Sequence, residues 1–136
     1  MSATAELVPL EMNPAIRARW TAALRSGEYR QGHCRLRDED GAFCCMGVLC
    51  DLAARDGIVT PVLQADYGWY AYDSSADFLP SSVQEWAGLT DDSPRVMADD
   101  GEEFLERTLA ELNDDLCWTF AQIADAIDGK QPEVTG

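Results

Sequence analysis

Cys44 and Cys45 stand side by side where an apolar helical repeat begins, and the only histidine, His33, lies eleven residues before Cys44. A thiol at a helix start feels the positive end of the helix dipole, which lowers its pKa. An imidazole in reach would take its proton, and Asn113 or Asp114 could orient that ring. The result would be the Cys-His-Asn/Asp set of a cysteine-dependent hydrolase or transferase. Against this, no local motif of a thiol hydrolase surrounds either cysteine. The simpler reading makes Cys45 a small core hydrophobe and His33 a surface residue. His33, Cys34, Cys44, Cys45 and Cys50 also offer soft ligands, but they lack the paired C-x₂₋₄-C knuckles of structural zinc. The acidic runs Asp38-Glu39-Asp40-Gly41 and Asp99-Asp100-Gly101-Glu102-Glu103 do not follow the twelve-residue calcium loop, and no glycine-rich phosphate cradle occurs. No metal and no cofactor is expected.

Binding surfaces are a second kind of chemistry. Tyr67, Trp69, Tyr70 and Tyr72 crowd into six residues of strand-like sequence. A strand alternates its sides, so Trp69 opposes Tyr70 and Tyr72; one set can enter the core and the other forms a binding surface, or else both faces are covered by the short helix around Trp86 and by the first helix. Tyr29, Arg30, Gln31, Arg35 and Arg37 form the one local basic patch, where a small anionic ligand would dock.

These residues need elements to position them. Asn13 caps and Pro14 opens a first helix that ends before Gly27, with Ile16, Trp20, Ala23 and Leu24 along one stripe. Cys34–Arg37 and Ala42–Cys44 read as a hairpin about the turn at Asp38–Gly41. A second helix runs from about Cys45 to Asp56, and Cys45, Val48, Leu49, Leu52 and Ala53 give it the strongest buried face. Ile58–Leu63 and Tyr67–Tyr72 read as strands, with Pro61 confining the first to an edge or splitting it into two pieces. Pro80 opens a short helix with Val83 and Trp86 inward. Residues 91–100 are irregular around an extended Arg95-Val96-Met97. Glu102–Leu112 reads as a helix on the spacing of Leu105, Leu109 and Leu112. Thr119 and Gln122 make a capping box for a last helix, and Trp118 can staple onto Ile123. The expectation is one α+β domain over residues 1–136. Helices, about four, are in the majority, with a short antiparallel sheet or hairpins, an arm at 1–12 and a loose tail at 130–136.

Composition narrows the function classes. The 136 residues carry a formal charge of −15. Residues 1–37 hold +3 of it and the rest −18. Such a surface repels nucleic-acid phosphates, so direct nucleic-acid binding is not expected. The excess acid is read first as a solubilising surface of a monomer or small homo-oligomer, and second as an acidic DNA mimic that occupies a basic groove. Five cysteines, two of them adjacent, do not fit a disulfide framework. With no spanning segment and no signal peptide, a cytoplasmic protein without membrane contact is expected.

The run Leu24-Arg25-Ser26-Gly27-Glu28-Tyr29-Arg30-Gln31-Gly32, then Phe43-Cys44-Cys45-Met46-Gly47-Val48-Leu49-Cys50-Asp51-Leu52-Ala53, resembles a family of small bacteriophage proteins, mainly of actinobacteriophages. Leu79-Pro80, Trp86-Ala87-Gly88-Leu89 and Leu112-Asn113-Asp114 fit it as well, and the likeness covers about residues 16–128. The resemblance implies a phage or prophage setting and no particular activity. Small phage proteins without catalytic motifs often act by binding, which gives the leading expectation: a non-enzymatic accessory protein. It would inhibit or occupy a host protein or a signalling nucleotide of defence or regulation in the host cytoplasm.

Overall fold

The computed structural model describes residues 8–99 and 102–130, so the first seven and last six residues of the expected arm and tail lie outside it, as do residues 100 and 101. Its elements are α1 (Pro14–Arg25), β1 (Arg30–Gln31), β2 (Ala42–Phe43), α2 (Cys45–Arg55), β3 (Pro61–Gln64) and β4 (Trp69–Tyr72). After these come α3 (Ser81–Ala87), β5 (Arg95–Asp99), β6 (Phe104–Thr108), a π-helical turn (Glu111–Asp115) and α4 (Phe120–Ile127).

The α+β character holds, but a helical majority does not. Helices take 37% of the described residues and strands 21%, and the strands form three separate pairs. Two expectations were wrong in ways that lowered the helix content or changed the pairing. Residues 102–112 are not one helix. β6 pairs antiparallel with β5, from Asp99↔Phe104 to Arg95↔Thr108, and Leu105 points outward. The helical turn starts only after Thr108, whose hydroxyl accepts from the Glu111 N–H while the Glu111 carboxylate accepts from the Thr108 N–H. That reciprocal cap places a helix start at Leu109, seven residues beyond the acidic run at Glu102.

The hairpin at 34–44 is likewise reduced. Its turn is present, with Asp38 Oδ1 accepting from Asp40 and Ala42, but Arg37↔Phe43 is its one bridge. Cys34 sits at φ 67°, a left-handed conformation that a strand cannot contain. β2 pairs instead with β1, in parallel, Arg30↔Ala42 and Gln31↔Phe43.

The rest follows from local sequence. Asn13 Oδ1 accepts from Ala15 and Ile16 to cap α1, and the Thr119–Gln122 capping box starts α4. The stripes of α1, α2 and α4 meet in one core in which Trp20, Val48, Leu49, Leu112, Ile123 and Ile127 are sealed from solvent. The Trp20 indole N–H donates to Cys45 O at 2.9 Å, tying α1 to the start of α2. Arg25 forks onto Asp125 and Asp128, at 2.8 and 2.9 Å, across α1 and α4. Leu10 N–H donates to Ile127 O, so the described part of the arm lies on the end of α4. Gly47 lets the 34–38 segment rest on α2: a β-carbon there would lie 2.6 Å from the Leu36 carbonyl carbon. Among the described residues no helix is long and apolar enough to cross a membrane.

Candidate functional site

The cysteine face of α2 is interior. Cys44, Cys45 and Cys50 are all buried, while Cys34 and Cys117 are exposed. Burial pushes the Cys44 thiol up to about 12 and the Cys45 and Cys50 thiols well above their ordinary value. Backbone N–H groups at the helix start pull the Cys44 thiol the other way, and desolvation outweighs them. Cys45 Sγ donates to Leu109 O at 3.7 Å.

Neither candidate orienter is free for an imidazole. Asn113 is fully buried: its Oδ1 accepts from Gln31 Nε2 (2.9 Å) and Cys45 N (3.2 Å), and its Nδ2 donates to Gly32 O (2.9 Å) and Asp114 Oδ1 (2.8 Å). Asp114 Oδ1 also accepts from Cys34 N. His33 is exposed beside this network and takes no part in it. The π-helical turn therefore delivers a cap from a distant segment to the start of α2, whose own N-cap Cys44 makes no side-chain capping bond. Cys44, Cys45, His33 and Asn113 do not assemble into a nucleophile, base and orienter. Among the described residues, no three His, Cys, Asp or Glu side chains are grouped to hold a metal ion.

The thiols give a direct check. At pH 8 a chromogenic disulfide reagent is expected to titrate two thiols in the native protein, Cys34 and Cys117, and all five in urea. The raised pKa values also couple to stability. Buried neutral thiols, with Tyr72 pushed up to about 12 by burial, favour the fold fully below the ionisation of the unfolded chain near pH 9. That stability is lost as the pH climbs from about 9 towards 12, where the unfolded chain has given up protons that the fold retains. The melting temperature should fall between pH 9 and 11, with the three remaining thiols becoming reactive together. A third thiol reacting rapidly at pH 8, or a flat melting temperature to pH 11, would contradict this burial.

The basic patch is dispersed into structure. Arg30 donates to Asp40 O in the 38–41 turn. Gln31 is bound to Asn113 and to Trp118 O. Tyr29 donates to Asp51 and meets Phe43 edge-on, 5.1 Å between ring centres. Arg37 is packed over Tyr70 (4.1 Å) and Phe43 (5.3 Å), so its charge is met by ring faces. Arg35 pairs with Asp77 at 2.9 Å. An anion would meet no convergent set of free guanidinium groups here.

The aromatic cluster divides as strand alternation requires. Tyr72 is fully buried and Tyr70 half-buried on one face of β4. Trp69 lies on the other face, stacked on Tyr67 (5.1 Å, 16° between planes) and covered by the Arg35 guanidinium at 4.0 Å. β3 pairs antiparallel with β4, Val62↔Ala71 and Gln64↔Trp69, and cross-strand partners share a face. That face opens onto a cleft of about 670 Å³ bounded by Ile58, Val62, Tyr67, Trp69, Asp73 and Ser74. Asp73 and Ser74 form its end wall in a two-residue turn with φ 53° and 70°, closed by reciprocal bonds between Tyr72 and Ser75. Two adjacent non-glycine residues in the left-handed region are costly, and Ser82, donating to Asp73 Oδ2, helps hold them.

The residues around the cleft that sequence reasoning missed are Ile58, Val62 and the 73–74 turn. The signal for Val62 was Pro61, which marks β3 as an edge and leaves its neighbours without cover. Exposed large apolar side chains mark this hairpin: Tyr67 is 66% exposed and Val62 54% at the cleft, and Leu63 is 48% exposed on the opposite face.

No curated protein matches this chain, and no solved structure matches it. A family described as a domain of unknown function (DUF8296) matches residues 12–131, nearly the whole described structure, and the chain belongs to that family.

Proposed function

We propose that this is a non-enzymatic binding protein that engages a partner protein through the cleft of β3 and β4. One contrast carries the reading: Cys44 and Cys45, the candidate nucleophiles, are sealed in the core, whereas large apolar and aromatic side chains stand open on one hairpin. A protein partner suits the site better than a small anion, because the arginines are already engaged by Asp77, by the 38–41 turn and by aromatic rings. The phage resemblance supplies the setting: an accessory protein acting in a host cytoplasm to occupy a component of defence or regulation.

The test is capture from bacterial lysate by the immobilised protein, with Trp69→Ala as control. A partner retained in stoichiometric amount and weakened about tenfold or more by Trp69→Ala is the expected result, in line with the ~2 kcal/mol typical of a buried aromatic anchor. A partner held equally by both forms, or turnover of a substrate that stops when Cys44 is replaced by Ala, would refute it.

A further inference from the structure

The pairing of β4 fixes which backbone groups of β3 are free. Tyr70 N–H donates to Arg37 O at 2.9 Å, and Asp38 bridges Trp69, so the far side of β4 is occupied by the 37–38 segment. In an antiparallel ladder each residue directs both its N–H and its C=O to the same side. Tyr70 therefore faces away from β3, and its partner Leu63 sits in a non-hydrogen-bonded pair with its own N–H and C=O directed outward. Tyr72 behaves alike, exchanging bonds with Ser75, so its partner Pro61 also directs its carbonyl outward. The β3–β4 sheet has two strands, and among the described residues no backbone hydrogen bond is made to this outer side of β3. The free edge thus presents a C=O, an N–H and a second C=O in sequence, and a strand needs these to join a sheet.

Charge selects what can join it. Asp73 lies in the cleft wall, Asp66 in the turn between the strands, and the Glu39 carboxylate against Gly68. Among the described residues none of these three has an ion-pair partner, and the one arginine at the cleft, Arg35, is matched by Asp77. The exposed ring of Tyr67 offers a further face to a cation. Two copies of a chain with charge −15 would repel at such a contact, whereas a cationic segment would be attracted.

We propose that β3 and the cleft beside it take up an extended, cationic segment of a partner protein, as a third strand paired to Leu63 with alternate side chains over Trp69 and Tyr67. This rests on the cleft being the binding surface, and adds the partner's chemistry and its mode of docking.

The probe is a fluorescein-labelled eight-residue peptide of alternating Arg and Val, compared with its Glu–Val counterpart. The protein variants are Trp69→Ala and Leu63→Pro. The second removes an N–H that no internal bond uses, so it strips the edge donor while β4 keeps its pairing. Circular dichroism and melting temperature verify that each variant folds, and a variant that unfolds is replaced by Val62→Ala or by the wild-type protein with a peptide N-methylated on alternate residues. The Arg–Val peptide should bind with an affinity that falls about tenfold between 50 and 300 mM salt and about tenfold in each variant, while the Glu–Val peptide should not bind.

Loss in Trp69→Ala with full affinity in Leu63→Pro overturns the added strand and leaves the cleft as binding surface. Unchanged affinity in both variants, with cleft-independent partner capture, overturns both readings. Equal binding of the two peptides overturns the charge argument. Concentration-dependent dimerisation of the wild type that Leu63→Pro abolishes overturns it in favour of a second copy.

Discussion

Gly47→Ala should cost at least about 4 kcal/mol and leave little folded protein, although helix propensity alone would favour alanine by about 1 kcal/mol. The added β-carbon would meet backbone: it would lie 2.6 Å from the Leu36 carbonyl carbon and 3.0 Å from its α-carbon. A flexible side chain could swing aside, but Leu36 cannot, because its N–H is bonded to Ala76 O and its side chain is fully buried. Relief would require the 34–38 segment to leave α2, carrying Arg35 and Arg37 away from Trp69 and Tyr70. Global stabilities are about 5–15 kcal/mol, so most of the margin disappears. Urea unfolding of the purified variant is the measurement; a midpoint equal to or above that of the parent would show that Leu36 does not rest on α2.

Asn113→Ala comes next in size, at about 3–5 kcal/mol. One amide serves four partners, and its loss strands the Cys45 N–H and the Gly32 C=O in a buried setting and leaves the Gln31 amide with Trp118 O alone. Each buried group left without a partner costs about 1–3 kcal/mol, partly recovered where water enters. Asn113→Asp separates the two halves of the amide. Its oxygens still accept from Cys45 and Gln31, but the donor to Gly32 O is gone and a carboxylate faces that of Asp114. Burial and Asp114 raise its folded pKa above the unfolded value. The variant's deficit should therefore be smallest at low pH and grow as the pH rises through the folded pKa. Denaturation at pH 5 and pH 8 reads this directly, and a deficit independent of pH would place position 113 in contact with solvent.

These two residues show how far the sequence could be read. Helices with their own start and stop signals were legible because the information is local. Asn13 and Pro14 fixed α1, Thr119 and Gln122 fixed α4, and the spacing of Cys45, Val48, Leu49, Leu52 and Ala53 gave the buried face of α2. The helix expected over Glu102–Leu112 failed because its apolar spacing is real only from Leu109 onward. The pair Thr108 and Glu111 was the local signal that would have moved its start. The role of Asn113 was not legible at all. Its partners lie at positions 31, 32 and 45, and no pattern near 113 encodes such distant pairing.

The binding surface was half legible. Alternation correctly set Trp69 against Tyr70 and Tyr72, but it could not say which side faced the core. The clustering of Arg30, Arg35 and Arg37 in sequence was misleading, because a bend at Cys34 and the turn at Asp38 send the three side chains to different neighbours. Proximity along the chain made them look like one patch. A residue's charge says little about availability until its partners are known.

α1 packs along α4, and Arg25 reaches from the first helix to Asp125 and Asp128 near the end of the described chain. During synthesis, α2 can reach the apolar stripe of α1 early, but the part of that stripe that α4 covers waits until Ile127 has left the ribosome. A chain stopped before α4 leaves the α4-facing side of α1 open and Arg25 without Asp125 and Asp128, which makes it a substrate for chaperones and proteases.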